Sequence, residues 1–164
     1  VVVAAAGWHL GFSISEFADL MNEKAEEMGF IDANFVEPTG IMSGNQASAR
    51  NIASLLQEVM KNDVLKEIVA MPEVSFTILN KDEVRTVEST NQLFIDYINQ
   101  NPYYILKKKT GFTYDAGYCL AVMADSAGSD NELIVVALGA DSLEDRFNDV
   151  KGLIDWTYNN YIWE

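Results

Sequence analysis

Three consecutive residues with chemically useful properties, Lys109, Thr110 and Gly111, close an apolar run that begins at Tyr104. The run predicts a β-strand, in which successive side chains alternate between the two faces. The amine of Lys109 and the hydroxyl of Thr110 then point to opposite sides, so both can serve one ligand only where the strand borders a cleft. Gly111 lacks a Cβ and would let a ligand or a neighbouring backbone approach closely.

The lysines belong to a predicted β-hairpin. A turn is expected near Asp115 and Ala116, a second apolar run spans residues 118–123, and alternation places Lys107 on the same face as Lys109. The chain has 25 acidic and 11 basic residues and a net charge of −14, so this lysine cluster is a local positive spot that would attract an anionic ligand. The alternative is a solvated, basic strand end that binds nothing.

Residues 109–120, KTGFTYDAGYCL, resemble the third active-site motif of the serine D-alanyl-D-alanine carboxypeptidases, which are low-molecular-mass penicillin-binding proteins. The resemblance extends, with gaps, from Phe17 to Trp156. It implies an α/β (α+β) fold that is part of a β-lactamase/transpeptidase-like domain, with an antiparallel sheet flanked by helices and the active site along the edge strand, here residues 104–110. Further similar stretches are residues 21–30, 34–41, 47–51, 90–94 and 138–140, and the pair Arg146 and Phe147.

The same resemblance implies roles for the residues around the motif. Lys109 would place positive charge near the substrate carboxylate and the attacking serine, and Thr110 would donate a hydrogen bond to that carboxylate beside Gly111. The backbone N–H of Phe112 would be one donor of the oxyanion hole. The side chain of Phe112 is not diagnostic, because family members vary at this position.

Arg146 matches a family arginine that can reach the carboxylate end of the cleft, and a guanidinium suits bidentate recognition of a carboxylate. A surface ion pair with Glu144 or Asp145 is the alternative role. Four aromatic residues are expected to be core or rim residues and not a sugar-stacking platform: Tyr118, Trp156, Tyr161 and Trp163.

The other two motifs of this family are a Ser-x-x-Lys nucleophile and base and a Ser-x-Asn. No serine in the chain is followed three residues later by lysine. Ser43-Gly44-Asn45 is the literal match to the second motif, but it follows the helix that the family motif precedes. The expected position of the second motif falls just before Val1, so we expect a partial transpeptidase-like catalytic domain that lacks the Ser-x-x-Lys region.

Periodicity predicts the elements that would hold this site. Ser13 and Glu16 form a capping box for a helix that reaches about Met28 and ends at Gly29. A second helix begins near Ser48. The remaining expected elements are a buried helix end in residues 1–10, a short helix at 64–71, a half-buried strand at 74–78 that a turn at 81–82 leads into residues 83–87, a strand at 132–138 broken by Gly139, and a helix at 142–161 that buries Phe147, Val150, Ile154 and Tyr161.

Composition excludes several classes of function. The acidic balance argues against nucleic acid as a partner. His9 is the only histidine, so histidine triads and multi-histidine metal sites are not expected, and no metal or other cofactor is predicted. Cys119 is expected to be a small core residue. Residues 1–164, with 49% apolar content, read as a single domain, and the family resemblance alone implies an extracytoplasmic location at the cell wall or in the periplasm.

Three hypotheses remain open at this stage. The leading one is a part of a D-alanyl-D-alanine carboxypeptidase, inactive alone, whose partners are peptidoglycan stem peptides ending in D-Ala-D-Ala, β-lactams and the absent N-terminal Ser-x-x-Lys segment. The second is a catalytically silent relative that binds peptide carboxylates through Lys109, Thr110 and Arg146. The third, an unrelated α/β domain, is disfavoured by the ordered matches.

Overall fold

The computed structural model describes residues 9–90, 103–126 and 131–163. Residues 1–8 of the helix end expected at 1–10, and residues 91–94, therefore lie outside the described residues. The helices are α1 (Ile14–Glu27), α2 (Ala49–Val59), α3 (Asp63–Ile68) and α4 (Leu143–Asn160). The strands are β1 (Glu73–Ile78), β2 (Glu83–Glu88), β3 (Tyr103–Thr113), β4 (Gly117–Ser126) and β5 (Glu132–Ala140).

Strands β3, β4 and β5 form an antiparallel sheet in that order, with β3 at an edge of the described sheet. Helix α4 packs on one face and α2 on the other, so the core has two layers. This arrangement confirms the expected α/β fold with an antiparallel sheet between helices. The α4 layer contains Leu120, Val122, Ala124, Val135, Phe147, Val150 and Ile154, and the α2 layer contains Leu56, Ala121 and Met123.

The register of the β3–β4 hairpin assigns the motif side chains to these faces. Thr110 pairs with Leu120, which belongs to the α4 layer. Lys109 pairs with Ala121, which belongs to the α2 layer. Because directly opposed residues of an antiparallel pair share a face, the lysine and the threonine lie on opposite faces, as alternation predicted. The turn at residues 114–116 is also where the sequence placed it.

Gly139 does not end β5, contrary to the expectation. The strand continues to Ala140, and Gly139 takes a positive φ of 74° within an irregularity of the β4–β5 ladder. Tyr118 pairs with Ala140 and Leu120 pairs with Ala137, so the intervening Cys119 has no partner on β5. From the sequence alone, such a glycine predicts the end of a strand. Within a sheet, it can instead occupy a β-bulge without ending the strand.

The β1–β2 hairpin forms as predicted, but its expected half-burial is wrong. Val74 and Phe76 share one face, yet 46% and 47% of their surfaces are exposed. The alternation of apolar and polar residues indicates that a strand has an apolar face. It does not show whether another helix or strand covers that face. In the described residues, β1 and β2 pair only with each other. Tyr161 was likewise expected to be buried, but it caps the end of α4 and is 56% exposed.

Local capping follows the sequence closely. The Ser13 hydroxyl accepts from the N–H of Glu16, whose carboxylate accepts from the N–H of Ser13. Asn51 completes the same reciprocal arrangement with Ser48 at the start of α2. Gly29 has φ +76° just after α1, as a helix terminator requires. None of the described helices combines the length and the apolarity needed to cross a bilayer.

Candidate active-site cleft

An open cleft of about 1320 Å³ lies at the end of β3, between the two helical layers. It is lined by Lys109, Thr110, Gly111 and Phe112 from the strand, and by Arg146 from α4. The five residues that the sequence singled out therefore line one cavity. Its opposite wall comes from α2 and from residues 38–47. A ligand in this cleft would reach both faces of β3, which is the condition under which Lys109 and Thr110 can act together.

The motif side chains differ in how they are held. The amine of Lys109 is exposed and donates to the carbonyl oxygen of Thr110, so no carboxylate partner holds it in the described structure. The hydroxyls of Thr110 and Thr90 are 2.8 Å apart and share a hydrogen bond. Sequence reasoning missed Thr90, which is 20 residues from Thr110 along the chain and carries no signal of that contact.

Gly111 lies where β3 opens onto the cleft. A Cβ placed there would come no closer than 3.7 Å to Cys119, an ordinary van der Waals distance, so packing does not demand glycine. Access for a ligand therefore explains a glycine at this position better than packing does. Three residues earlier on β3, Lys108 lies on the α4 face, opposite Val122, and burial lowers the pKa of its amine.

Arg146 is the most buried ionisable group of the cleft, with 4% of its surface exposed. Its Nη1 donates to the carbonyl oxygens of Gly111, at 3.3 Å, and Cys119, at 3.2 Å. The guanidinium carbon lies 4.7 Å from the ring centroid of Phe147 and 5.6 Å from that of Tyr118. Burial lowers the pKa of this guanidinium, and the neighbouring Cys119 and Tyr118 oppose that shift.

The ion-pair alternative for Arg146 is wrong, because no ion pair between its guanidinium and Glu144 or Asp145 occurs in the described structure. Asp145 instead bonds the Ser142 hydroxyl, at 2.6 Å, as part of the N-cap of α4. The Nε of Arg146 is buried and has no hydrogen-bond partner among the described residues. Since Arg146 lines the cleft, its positive charge favours an anionic ligand there.

The cleft wall at residues 37–46 is organised by Glu37, which is buried. Its carboxylate accepts hydrogen bonds from the N–H groups of Thr39 (2.6 Å), Ile41 (2.8 Å) and Met42 (3.2 Å), and from the Thr39 hydroxyl. These donors, first among them the Thr39 hydroxyl, lower the pKa of Glu37 to about 2. Sequence reasoning missed this role of Glu37: Pro38 and Gly40 indicate a turn, but they do not show that the Glu37 carboxylate binds its backbone N–H groups.

Ser43-Gly44-Asn45, the literal match to the second motif, belongs to the same wall. The Asn45 side chain accepts from the N–H groups of Val36 (2.8 Å) and Glu37 (3.2 Å), and donates to the carbonyl and the carboxylate of Glu37, both at 2.9 Å. Ser43 is exposed. The amide of Asn45 is thus engaged in holding the loop.

Cys119 departs from its expected place in the core. It is only partly buried, lines the cleft, and its thiol donates to the carbonyl oxygen of Ala116 at 3.5 Å. Cys119 lies within the apolar run of β4, opposite the bulge that Gly139 forms in β5. Trp156 was expected to be a core or rim residue. It is exposed and contacts Tyr161 edge-on, with 5.5 Å between the ring centroids, near the end of α4.

Solved structures with the same fold are penicillin-binding proteins and related enzymes. A D-alanyl-D-alanine carboxypeptidase from Mycobacterium tuberculosis H37Rv superposes with a TM-score of 0.78 at 19% identity, over 97% of this chain and 59% of that one. Penicillin-binding protein D2 from Listeria monocytogenes, in its cefotaxime-bound form, gives a TM-score of 0.66 at 27% identity, over 86% and 54%. These matches confirm the transpeptidase-like fold.

The family model described as D-alanyl-D-alanine carboxypeptidase, peptidase S11, matches residues 2–142. The chain therefore belongs to the S11 D-alanyl-D-alanine carboxypeptidase family. It is 29% identical to the D-alanyl-D-alanine carboxypeptidase DacF of Bacillus subtilis, over 91% of this chain and 36% of that protein. It is 31% identical to a D-alanyl-D-alanine endopeptidase of Pseudomonas aeruginosa, over 73% and 37%. The chain spans roughly a third of the length of these two curated relatives.

Proposed function

We propose that this chain is part of a serine D-alanyl-D-alanine carboxypeptidase, and that it supplies the Lys-Thr-Gly wall and an oxyanion donor but not the nucleophile. The observation that carries the proposal is the convergence of Lys109, Thr110, Phe112 and Arg146 on one cleft at the end of an edge strand. Family membership supports the reaction class. The proposal treats residues 1–164 as a partial transpeptidase-like domain, completed by a segment that bears Ser-x-x-Lys.

In the proposed reaction, a serine oxygen attacks the carbonyl between two D-alanines of a peptidoglycan stem peptide. The peptide bond breaks, the terminal D-alanine leaves with its amine protonated, and water hydrolyses the acyl-enzyme ester. The tetrahedral oxyanion accepts a hydrogen bond from the Phe112 N–H. Loss of such a donor costs about 10²–10³-fold in rate.

The terminal carboxylate of the substrate is the anionic group that this cleft is suited to bind. Lys109 contributes an exposed ammonium, Thr110 a hydroxyl, and Arg146 the positive charge of a buried guanidinium. A β-lactam carries a carboxylate in the corresponding place and forms an acyl-enzyme that persists. The Listeria neighbour, solved in its cefotaxime-bound form, supports this class of ligand. The substrate class places the proposed site of action outside the cytoplasm, at the cell wall or in the periplasm.

Intact mass spectrometry after incubation with cefotaxime tests the proposal. The chain is measured alone and after mixing with a separately produced segment from an S11 carboxypeptidase that carries Ser-x-x-Lys and Ser-x-Asn. We expect an adduct only in the mixture, on the added segment. Lys109→Gln should slow its formation, whereas Lys107→Gln, two residues along the same face of β3, should leave it within about two-fold.

Two results would contradict the proposal. An adduct on this chain alone would show that a serine of the chain, such as Ser43, is a nucleophile. An assembled mixture that forms no adduct would favour a silent module that binds peptide carboxylates. Assembly is checked by sedimentation before the drug is added, so a failure to associate is recognised as such.

A further inference from the structure

We infer that Arg146 is a positioning residue for the oxyanion hole, because it fixes the peptide unit that joins Gly111 to Phe112. This inference rests on the proposed function and assigns Arg146 a role additional to binding the substrate carboxylate. The Nη1 of Arg146 donates to the Gly111 carbonyl oxygen at 3.3 Å. That carbonyl and the Phe112 N–H belong to the same peptide group.

The geometry of the peptide bond transmits the contact. No cis peptide bond occurs in the described chain, and in a planar trans peptide the C=O and the N–H point in opposite directions. A donor that holds the Gly111 carbonyl therefore also holds the axis of the Phe112 N–H. The same Nη1 reaches the Cys119 carbonyl on β4, so the Gly111 carbonyl turns towards the inner side of β3. The Phe112 N–H is then directed to the outer edge, where the cleft opens.

The register of the hairpin brings the two carbonyls within reach of one guanidinium. Cys119 faces Gly111 across β3–β4, and a single nitrogen of Arg146 contacts the carbonyl oxygens of both residues. Arg146 satisfies the carbonyl of Cys119 and reaches across to that of Gly111 with the same nitrogen. It stays in place because it is 96% buried and packs over the rings of Phe147 and Tyr118.

The charge adds a second effect. A guanidinium remains protonated in proteins, and burial at this depth reduces the screening of its field. A cation on the carbonyl oxygen withdraws electron density from the amide, so the N–H of the same peptide becomes a stronger donor. The oxyanion would thus be stabilised by a polarised donor of fixed direction.

The first test uses the chain by itself. The carbonyl ¹³C shift of Gly111 and the amide ¹H and ¹⁵N shifts of Phe112 are compared among wild type, Arg146→Met, Arg146→Lys and the control Lys151→Met. Lys151 lies on the same helix and forms a partly buried ion pair with Asp155. We expect Arg146→Met to move these shifts, Lys151→Met to leave them unchanged, and Arg146→Lys to restore part of the wild-type values. Unmoved shifts in Arg146→Met overturn the inference.

The second test measures acylation in the mixture with the Ser-x-x-Lys segment, using benzylpenicillin and its uncharged methyl ester. Positioning predicts that Arg146→Met slows acylation by about ten-fold or more with both compounds, since each generates the oxyanion. A penalty that disappears with the ester shows that Arg146 acts only on the ligand carboxylate, and it overturns the inference. An assembled mixture with the wild-type chain in which the Ser-x-x-Lys segment is not acylated contradicts the proposed function instead, so the two failures are distinguishable.

Discussion

Asn45→Ala should destabilise the chain strongly, because Asn45 holds the cleft wall by three hydrogen bonds to the backbone. These bonds reach the N–H groups of Val36 and Glu37 and the carbonyl of Glu37. At a net value of about 1 kcal/mol each, their loss amounts to about 3 kcal/mol. For a domain of this size that corresponds to a fall of about 6–12 °C in Tm.

The assay is urea denaturation followed by circular dichroism, with the thermal midpoint as a second reading. Ser43→Ala is the matched control from the same three residues. Its side chain is exposed, so its free energy of unfolding should lie within about 0.5 kcal/mol of wild type. Asn45→Asp should be about as harmful as Asn45→Ala, since it loses the amide donor and places a second carboxylate against Glu37.

A free energy of unfolding for Asn45→Ala within about 0.5 kcal/mol of wild type would refute the assignment of Asn45 to loop support. The same variants address the literal Ser-x-Asn motif. If Ser43 and Asn45 were catalytic, Ser43→Ala would abolish acylation in the mixture while leaving stability unchanged. The hydrogen bonds of Asn45 predict the reverse, which is normal acylation by Ser43→Ala and loss of stability in Asn45→Ala.

Three further predictions concern stability. Ile154 is buried in the α4 layer at 2% exposure, so Ile154→Ala should lower the free energy of unfolding by about 2–5 kcal/mol. Ile162 is 92% exposed, so Ile162→Ala should lower it little, and urea denaturation of both variants measures the difference. Gly152→Ala should stabilise α4 by about 0.5–1 kcal/mol in the same assay, since a Cβ there meets nothing within 4 Å. The pKa of Glu37 is lowered to about 2, so its ionised carboxylate should contribute stability that is complete above the unfolded pKa near 4.5 and is lost as the pH falls towards 2. Glu37→Gln should flatten the pH dependence of the free energy of unfolding over that range.

Features set by near neighbours in the chain were predictable from the sequence. The reciprocal caps of α1 and α2, the terminator Gly29 and the turn between β3 and β4 each involve residues within a few positions of one another. The opposite faces of Lys109 and Thr110 follow from the period of a strand. The family motif then indicated which strand borders the cleft.

Contacts between distant residues were not predictable in this way. Arg146 and Gly111 are 35 residues apart, and nothing in either local sequence indicates that one donates to the carbonyl of the other. The apolar face of β1 could be read from alternation, but its exposure depends on what covers the hairpin. Cys119 has the apolar neighbours of a core residue, yet it lies opposite the bulge of β5 and lines the cleft.

The bulge links these separate observations. Gly139 has φ +74°, which would cost another residue roughly 1–2 kcal/mol, and a Cβ there would meet nothing closer than 3.8 Å. The backbone conformation, and not a lack of space for a side chain, therefore favours glycine at position 139. The irregularity leaves Cys119 without a partner on β5, and Arg146 bonds its carbonyl. A glycine remote from the Lys-Thr-Gly motif thus shapes the sheet opposite Cys119, the residue whose carbonyl shares a donor with that of Gly111.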